Sequence, residues 1–155
     1  MRKQKKDASI LKVFMPLMGG QTIQTRAARA IPVLLKLAMD RQTITYGELA
    51  KRLSMSNPRH VVPVISLAAE VIDEYFERQA PDICALVVSA AKKMPGDGYV
   101  LSCEDNILPI SKQAYLDLSL DEKRQVIKVL QERVYAFAGW EDLLPLARNF
   151  CQYSI

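Results

Sequence analysis

The chain has 155 residues, of which 50% are hydrophobic and 25% charged, with a mean hydropathy of +0.00. These values are typical of one soluble globular domain, and no apolar run approaches the roughly 20 residues of a membrane-spanning helix. Residues 1–69 hold twelve Lys and Arg against three acids, a balance of +9, whereas residues 70–155 hold nine against fourteen, a balance of −5. This asymmetry favours a polyanion-binding surface in the first half of the chain.

The N-terminal stretch, residues 1–20, is basic and ends at a pair of glycines. We expect it to be a flexible segment, followed by a single domain over residues 21–155. Its apolar part is interrupted by Lys12 and Pro16, and no small-x-small cleavage site follows. The sequence therefore predicts a cytoplasmic protein without a secretory signal.

The first predicted helix covers about residues 30–40, with an extension back to Thr25 left open. Pro32 fits only a first turn or a kink of this helix. The apolar residues at helical spacing are Ile31, Leu34, Leu35 and Ala38. Residues 42–45 then predict a short strand, because they are rich in β-branched side chains.

A capping box marks the start of the second predicted helix. The Thr45 hydroxyl can accept a hydrogen bond from the backbone N–H of Glu48, and the Glu48 carboxylate can accept one from Thr45 N–H. The following residues Leu49, Ala50 and Leu53 supply a buried face. The sequence therefore predicts a short helix that begins at Thr45–Tyr46.

A third predicted helix follows the turn in "SMSNPRH", with Ser56 or Asn57 as its N-cap. A helix that begins at Asn57 would be kinked at Pro63, whereas one that begins near Val61 would hold that proline in its first turn. Either alternative predicts a helix that reaches about Arg78.

The next segments predict a β-hairpin. The apolar run "ICALVV", residues 83–88, has the length and composition of a buried strand. "KKMPGDGYV" then supplies a turn over residues 95–98 and the beginning of a return strand. Helix, strand, helix, helix and hairpin in this order predict an α+β fold with a winged-helix-like helix-turn-helix core.

Additional helices are predicted at the C-terminus. The first covers about Ser111–Leu118, and a capping box of Ser119 and Glu122 opens the next, which ends near Ala138. Its inward residues are expected to be Val126, Val129, Leu130, Val134 and Phe137. Trp140 is expected to pack on the core.

The pattern "ITYGELAKRL…NPRHVVPV…ICALVV…GDGY" resembles the winged-helix DNA-binding domain of the alkylguanine DNA alkyltransferases and the alkyltransferase-like proteins over about residues 42–100. That family has a similar Tyr-Gly helix start, a helix entered through Asn-Pro-Arg, and a strand that leads to a glycine-containing loop. The resemblance implies a platform that lies against DNA.

The resemblance does not extend to alkyl transfer. Alignment of Val87 and Val88 puts Cys84 at the position of the family's alkyl-accepting cysteine, but the proline, histidine and arginine of its Pro-Cys-His-Arg motif do not surround it. A cysteine in an apolar strand without a cationic neighbour keeps a high pKa. We therefore expect Cys84 to be buried and unreactive.

The candidate DNA contacts follow from the predicted helix-turn-helix and wing. They are Lys51, Arg52, Ser56, Asn57, Arg59, His60, Lys92 and Lys93. Arg59 is the strongest candidate, because one guanidinium can bind a guanine edge, pair with a phosphate or enter a groove. In the family that the sequence resembles, an arginine on the corresponding helix props open the DNA duplex.

Catalytic and metal sites are not predicted. The cysteines Cys84, Cys103 and Cys151 lack Cys-x-x-Cys spacing, and His60 is the one histidine of the chain. The acids Glu70, Asp73, Glu74 and Glu77 share one helix face, which is interpreted as solvated, although such a face could hold Mg²⁺ in a nuclease.

The sequence therefore predicts a non-enzymatic DNA-binding or DNA-associated module of prokaryotic or phage type, without a cofactor. One alternative is a protein–protein adaptor in which the acidic C-terminal half binds a basic partner and the winged helix is a scaffold. Another alternative is a small Mg²⁺-dependent nuclease or toxin.

Overall fold

The structure is a computed structural model that describes residues 13–18, 22–103 and 107–154. The α-helices in these ranges are α1 (Thr22–Met39), α2 (Tyr46–Arg52), α3 (Val61–Tyr75), α4 (Asp97–Ser102), α5 (Lys112–Leu116), α6 (Leu120–Ala136) and α7 (Trp140–Ser154). The strands are β1 (Ile44–Thr45) and β2 (Val87–Val88), and 3₁₀ turns cover Met15–Leu17, Pro58–His60 and Ile83–Leu86. The protein is therefore mainly helical, with a small sheet.

Helix α1 lies in the middle of the core, where α3 and α7 pack against it. Its buried residues include the predicted set of Ile31, Leu34, Leu35 and Ala38, together with Ala27, Ala28, Ala30 and Leu37. The small alanine side chains allow the neighbouring helices to approach the α1 backbone closely. The predicted helix over residues 30–40 is confirmed, and its open extension is resolved, since the helix begins at Thr22.

Pro32 lies inside α1. Because proline has no backbone N–H, the carbonyl of Ala28 lacks its usual donor four residues ahead. The Cys151 thiol of α7 donates a hydrogen bond to this Ala28 oxygen at 2.9 Å. A side chain from another helix thus supplies a donor at the point where the proline removes one.

The sheet joins the beginning of α2 to the segment after Leu86. Strands β1 and β2 are parallel, with Ile44 opposite Val87 and Thr45 opposite Val88. The Thr45 hydroxyl accepts a hydrogen bond from Glu48 N–H at 3.1 Å, which caps α2. The predicted helix start is therefore confirmed, and of the strand predicted over residues 42–45 the structure contains Ile44–Thr45.

The entry to α3 combines the two alternatives left open by the sequence. Asn57 caps a 3₁₀ turn over Pro58–His60, and α3 itself begins at Val61, so that Pro63 falls in its first turn. The helix ends at Tyr75, short of the predicted Arg78, because Glu77 and Arg78 adopt positive φ angles of 53° and 62°.

The predicted hairpin is wrong. Residues 83–86 form a 3₁₀ turn capped by Asp82, and only Val87–Val88 is a strand. The predicted return strand is instead α4, whose backbone includes a hydrogen bond from Cys103 N–H to Tyr99 O at 3.2 Å. Strand β2 pairs in parallel with β1, so the described residues do not contain the β-hairpin wing that was expected after α3.

The C-terminal helices follow the prediction closely. Ser111 caps α5, and Ser119 with Glu122 forms both hydrogen bonds of a capping box before α6. Of the predicted inward residues of α6, Leu130 and Val134 are buried, whereas Val129 is 44% exposed and Ile127 is buried instead.

Trp140 is 1% exposed, as expected for a core residue. Its indole N–H donates to Val134 O at 2.7 Å, and its ring makes edge contacts with Phe76 and Phe137. A Cβ on Gly139 would lie 2.6 Å from the Phe137 ring, so this position has no space for a side chain. The glycine therefore permits the close approach of these aromatic rings.

Of the N-terminal segment predicted over residues 1–20, residues 13–18 belong to the described ranges, and the others lie outside them. Phe14 is buried and stacks on Phe150, with ring centroids 4.7 Å apart. The end of this segment thus contributes to the core. No helix in the described ranges has the length and hydropathy needed to cross a membrane.

Candidate nucleic-acid interface

The unit formed by α2, the 3₁₀ turn and α3 separates an apolar side from a polar side. Leu49, Ala50, Leu53, Met55 and Val61 are buried and belong to the main core. Ser54 has a φ of 57°, in the left-handed region in which helices commonly terminate. The chain therefore leaves α2 sharply, while the buried residues on both sides of the turn hold it against the core.

The polar side of this unit contains most of the predicted contact residues. Lys51, Arg52, Ser56, Asn57, Arg59 and His60 are all exposed. The Asn57 Oδ1 atom accepts a hydrogen bond from Arg59 N–H at 3.0 Å, which fixes the backbone from which the Arg59 side chain extends. Asn57 thus has a structural role, and its side-chain NH₂ group is the part that could contact a ligand.

The exposed cations of the unit differ in their surroundings. Arg52 Nε lies 3.8 Å from the Glu48 carboxylate, which partly compensates its charge. Lys51 and Arg59 form no ion pair with any residue in the described ranges. The positive charge that remains available to bind an anionic ligand therefore resides mainly on Lys51 and Arg59.

An apolar feature beside Arg59 was missed by the sequence reasoning. Val62 is 52% exposed in the first turn of α3, and Pro63 next to it is also exposed. Val62 lies three residues before the buried Ile65, a helical spacing that by itself predicts burial, so the sequence pattern contains no signal of its exposure. Exposed methyl groups at the start of such a helix can contact a thymine methyl group.

Lys92 and Lys93 lie in a turn that contacts α6. Their turn is closed by Lys93 N–H donating to Ser89 O at 2.8 Å, and Arg124 Nε of α6 donates to Lys92 O at 3.2 Å. Further along this segment, Gly96 N–H donates to the Tyr46 hydroxyl at 3.4 Å. The turn is thus held by α6 and by the first residue of α2, whereas Lys51 and Arg52 lie at the other end of that helix, about 8–9 Å away along its axis.

The acidic residues of α3 border a cleft of about 820 Å³. Glu70, Asp73 and Glu74 line it together with Arg78 and Arg133, so that its wall carries both signs of charge. Glu77 lies beyond the end of α3 and is exposed. Within the described ranges, no three His, Cys, Asp or Glu side chains are grouped as ligands for a metal ion.

Cys84 lies in the 3₁₀ turn before β2, and its backbone N–H donates to Asp82 Oδ1 at 2.9 Å. Burial raises the pKa of the Cys84 thiol well above its usual value, and the Asp82 carboxylate raises it further. Both effects disfavour the thiolate, which is the nucleophilic form. This environment agrees with the predicted low reactivity, whereas the predicted full burial is wrong, since Cys84 is half-buried.

The raised pKa of Cys84 leads to a prediction about alkaline pH. The thiol of Cys84 holds its proton more tightly in the folded protein than in the unfolded chain. Its contribution to the free energy of unfolding is therefore fully present below the unfolded pKa of about 8.5, and it is lost as the pH rises towards the folded pKa. We expect the stability of the wild type relative to Cys84→Ala to fall by up to about 1.4 kcal/mol per pH unit in this window. Urea unfolding of both proteins between pH 7 and pH 10 measures the difference, and a pH-independent difference would contradict the assignment.

Comparison with known proteins does not assign the chain to a family: no family model matches it, and searches of curated proteins and solved structures find no match. The resemblance to the alkyltransferase DNA-binding domain therefore rests on the sequence pattern alone. Residues 83–86 and 97–102 depart from that pattern, because they form a 3₁₀ turn and a helix rather than a strand and a loop.

Proposed function

We propose that this protein is a non-enzymatic DNA-binding module whose contact surface is the polar side of the unit formed by α2, the 3₁₀ turn and α3. The observation that supports this proposal is the exposure of Arg59 and Lys51, without an ion pair in the described ranges, on a unit whose opposite side is buried. A solvated cation on a fixed backbone is available to an anionic ligand.

The chemistry of the exposed residues suggests a division of roles. Lys51 and Arg52 can neutralise phosphates, and the hydroxyl of Ser56 and the amide of Asn57 can donate hydrogen bonds to phosphate oxygens. Arg59 lies at the entry to α3, which in helix-turn-helix proteins is the part of the recognition helix that reaches base edges. Val62 in the next turn adds an apolar contact of the kind that reads thymine.

The distribution of charge along α3 favours one orientation on DNA. Arg59 and His60 precede the helix, whereas the acids Glu70, Asp73 and Glu74 occupy its second half. A polyanion would be attracted to the N-terminal end of α3 and repelled from the C-terminal end. We infer that α3 approaches DNA with its first turn and directs its acidic end away from the duplex.

The alternative is a protein–protein adaptor. It is favoured by the outward face of α6, where Val129 is 44% exposed. A partner captured in the absence of DNA, combined with no DNA binding by the wild type at low salt, would support the adaptor. Loss of DNA or RNA that requires Mg²⁺ would instead support a nuclease.

The proposal predicts distinct effects for Arg59→Ala and Lys51→Ala. If Arg59 reaches a base, its loss should weaken binding by roughly 1–3 kcal/mol at preferred sites and by less on random DNA. Lys51→Ala should weaken binding to all sequences and flatten the slope of log affinity against log salt by about one unit, because it removes one phosphate contact. Fluorescence anisotropy at several salt concentrations measures both quantities.

The matched control is Arg148→Ala, which removes one exposed positive charge from α7. We expect it to leave both affinity and salt slope unchanged. Equal losses for Arg59→Ala on all sequences would make Arg59 a phosphate contact. Absence of wild-type binding at low salt would refute the proposed function.

A further inference from the structure

A second cationic surface lies between the Lys92–Lys93 turn and α6. The turn and the helix form a groove of about 590 Å³, called here the α6 groove, with Lys93, Met94, Arg124, Ile127 and Lys128 among its lining residues. Met94 and Ile127 are buried and provide an apolar floor, whereas Lys93 and Lys128 are exposed at the surface. Sequence reasoning identified only the lysines of the turn, because Arg124 and Lys128 are distant from them in the chain.

The charges around the α6 groove are unequal. Lys92, Lys93 and Lys128 form no ion pair with any residue that the structure describes. The acids that accompany them are already paired. Asp121 lies 3.2 Å from Arg124, and Glu132, which lines the groove, lies 2.7 Å from Arg41. The groove is thus lined by three cations, Lys93, Arg124 and Lys128, and by one acid, Glu132. The excess positive charge resides on Lys93 and Lys128, and Lys92 adds a further charge in the adjoining turn.

Hydrogen bonds fix the turn on α6. Lys92 N–H donates to Ser89 Oγ at 3.1 Å, and Ser89 N–H donates to Met94 O at 3.0 Å. Arg124 Nε donates to Lys92 O across the groove at 3.2 Å. Below the turn, Gln131 Nε2 donates to Ala85 O at 3.0 Å. The backbones that carry the lysines therefore keep a fixed separation, so that a ligand has to order only their side chains.

We propose that the α6 groove binds the phosphate backbone of a nucleic acid, as a second contact surface in addition to the Arg59 turn. This inference rests on the proposed function and adds Arg124 and Lys128 to the residues involved. Lysine ammonium groups suit a repeating phosphate, which needs point charges rather than a shaped pocket. The hydrogen bond from Gly96 N–H to the Tyr46 hydroxyl connects the segment after this turn to the beginning of α2.

The test uses Lys93→Gln and Lys128→Gln, separately and together, with Arg148→Gln as the matched control for loss of one exposed charge. Binding is measured by anisotropy on duplexes of about 10 and 20 base pairs, one and two helical turns, over a range of salt concentrations. We expect each single variant to flatten the salt slope on the longer duplex by about one unit, and the double variant to flatten it by about two. Arg148→Gln should match the wild type. Urea unfolding verifies that each variant is folded.

The outcomes separate this inference from the proposed function. If Arg59→Ala weakens binding but the groove variants behave like Arg148→Gln, the α6 groove proposal is wrong and the helix-turn-helix proposal stands. If the groove variants flatten the slope but Arg59→Ala and Lys51→Ala have no effect, the groove stands and the helix-turn-helix proposal is wrong. Wild-type binding to poly-glutamate as tight as to the duplex would overturn the nucleic-acid assignment, and no binding to the duplex at low salt would overturn both proposals.

Discussion

Replacement of Trp140 by alanine is expected to lower the free energy of unfolding by about 3–5 kcal/mol. The side chain is 1% exposed, and its ring contacts Phe76 and Phe137 with centroid separations of 5.5 and 4.6 Å. Alanine would leave a cavity between these rings, and Val134 O would lose the indole donor. Urea unfolding followed by circular dichroism measures the loss.

Trp140→Phe separates the two contributions. Phenylalanine keeps an aromatic ring in the cluster but removes the N–H that donates to Val134 O at 2.7 Å. We expect a smaller loss of about 1–3 kcal/mol, the range for an incompletely satisfied buried polar group. A loss below about 0.5 kcal/mol for Trp140→Ala would show that the ring cluster does not contribute to stability.

Leu49→Ala is expected to destabilise the protein by about 2–5 kcal/mol, because Leu49 is fully buried on the inner face of α2. The matched control is Val62→Ala in the first turn of α3. The Val62 side chain is 52% exposed, and its loss should change stability by at most about 0.5 kcal/mol. Urea unfolding measures both variants.

The same pair of variants also tests the proposed function. Under conditions in which Leu49→Ala is still folded, its DNA affinity should resemble that of the wild type, since Leu49 does not reach the surface. Val62→Ala should lower the affinity at preferred sites while its stability is unchanged. The opposite pattern, with affinity following stability in both variants, would contradict a contact between Val62 and DNA.

The elements that could be predicted are those with a local signal. Ser119 and Glu122 specify a helix start through two hydrogen bonds within four residues, and Thr45 caps α2 with an acceptor three residues from its donor. The helical spacing in α1 likewise depends only on neighbours along the chain. In each of these cases the interacting residues lie within a few positions of one another, so the sequence pattern alone determines the local structure. These predictions are confirmed.

The structure of the segment predicted as a hairpin could not be read from its own residues, because it depends on contacts with residues far away in the chain. Residues 83–88 have the composition of a strand, but Asp82 caps a 3₁₀ turn at their beginning, and β1 offers only two residues for pairing. The glycine-rich turn predicted after them is the start of α4, with Gly96 N–H bonded to Tyr46, fifty residues earlier in the chain. The α6 groove depends on a similar long-range contact, between Arg124 and Lys92.

The backbone hydrogen bond that Pro32 removes from α1 has a consequence for sequence variation. The Ala28 carbonyl accepts a hydrogen bond from Cys151 on α7, 123 residues away in the chain. If residue 32 were not proline, its backbone N–H would donate to this carbonyl instead. In chains with a residue other than proline at position 32, the Ala28 carbonyl would therefore not require a donor at position 151. Chains that keep the proline should hold a thiol or hydroxyl there. We expect these two positions to vary together among relatives of this protein, so that a change at one is accompanied by a change at the other.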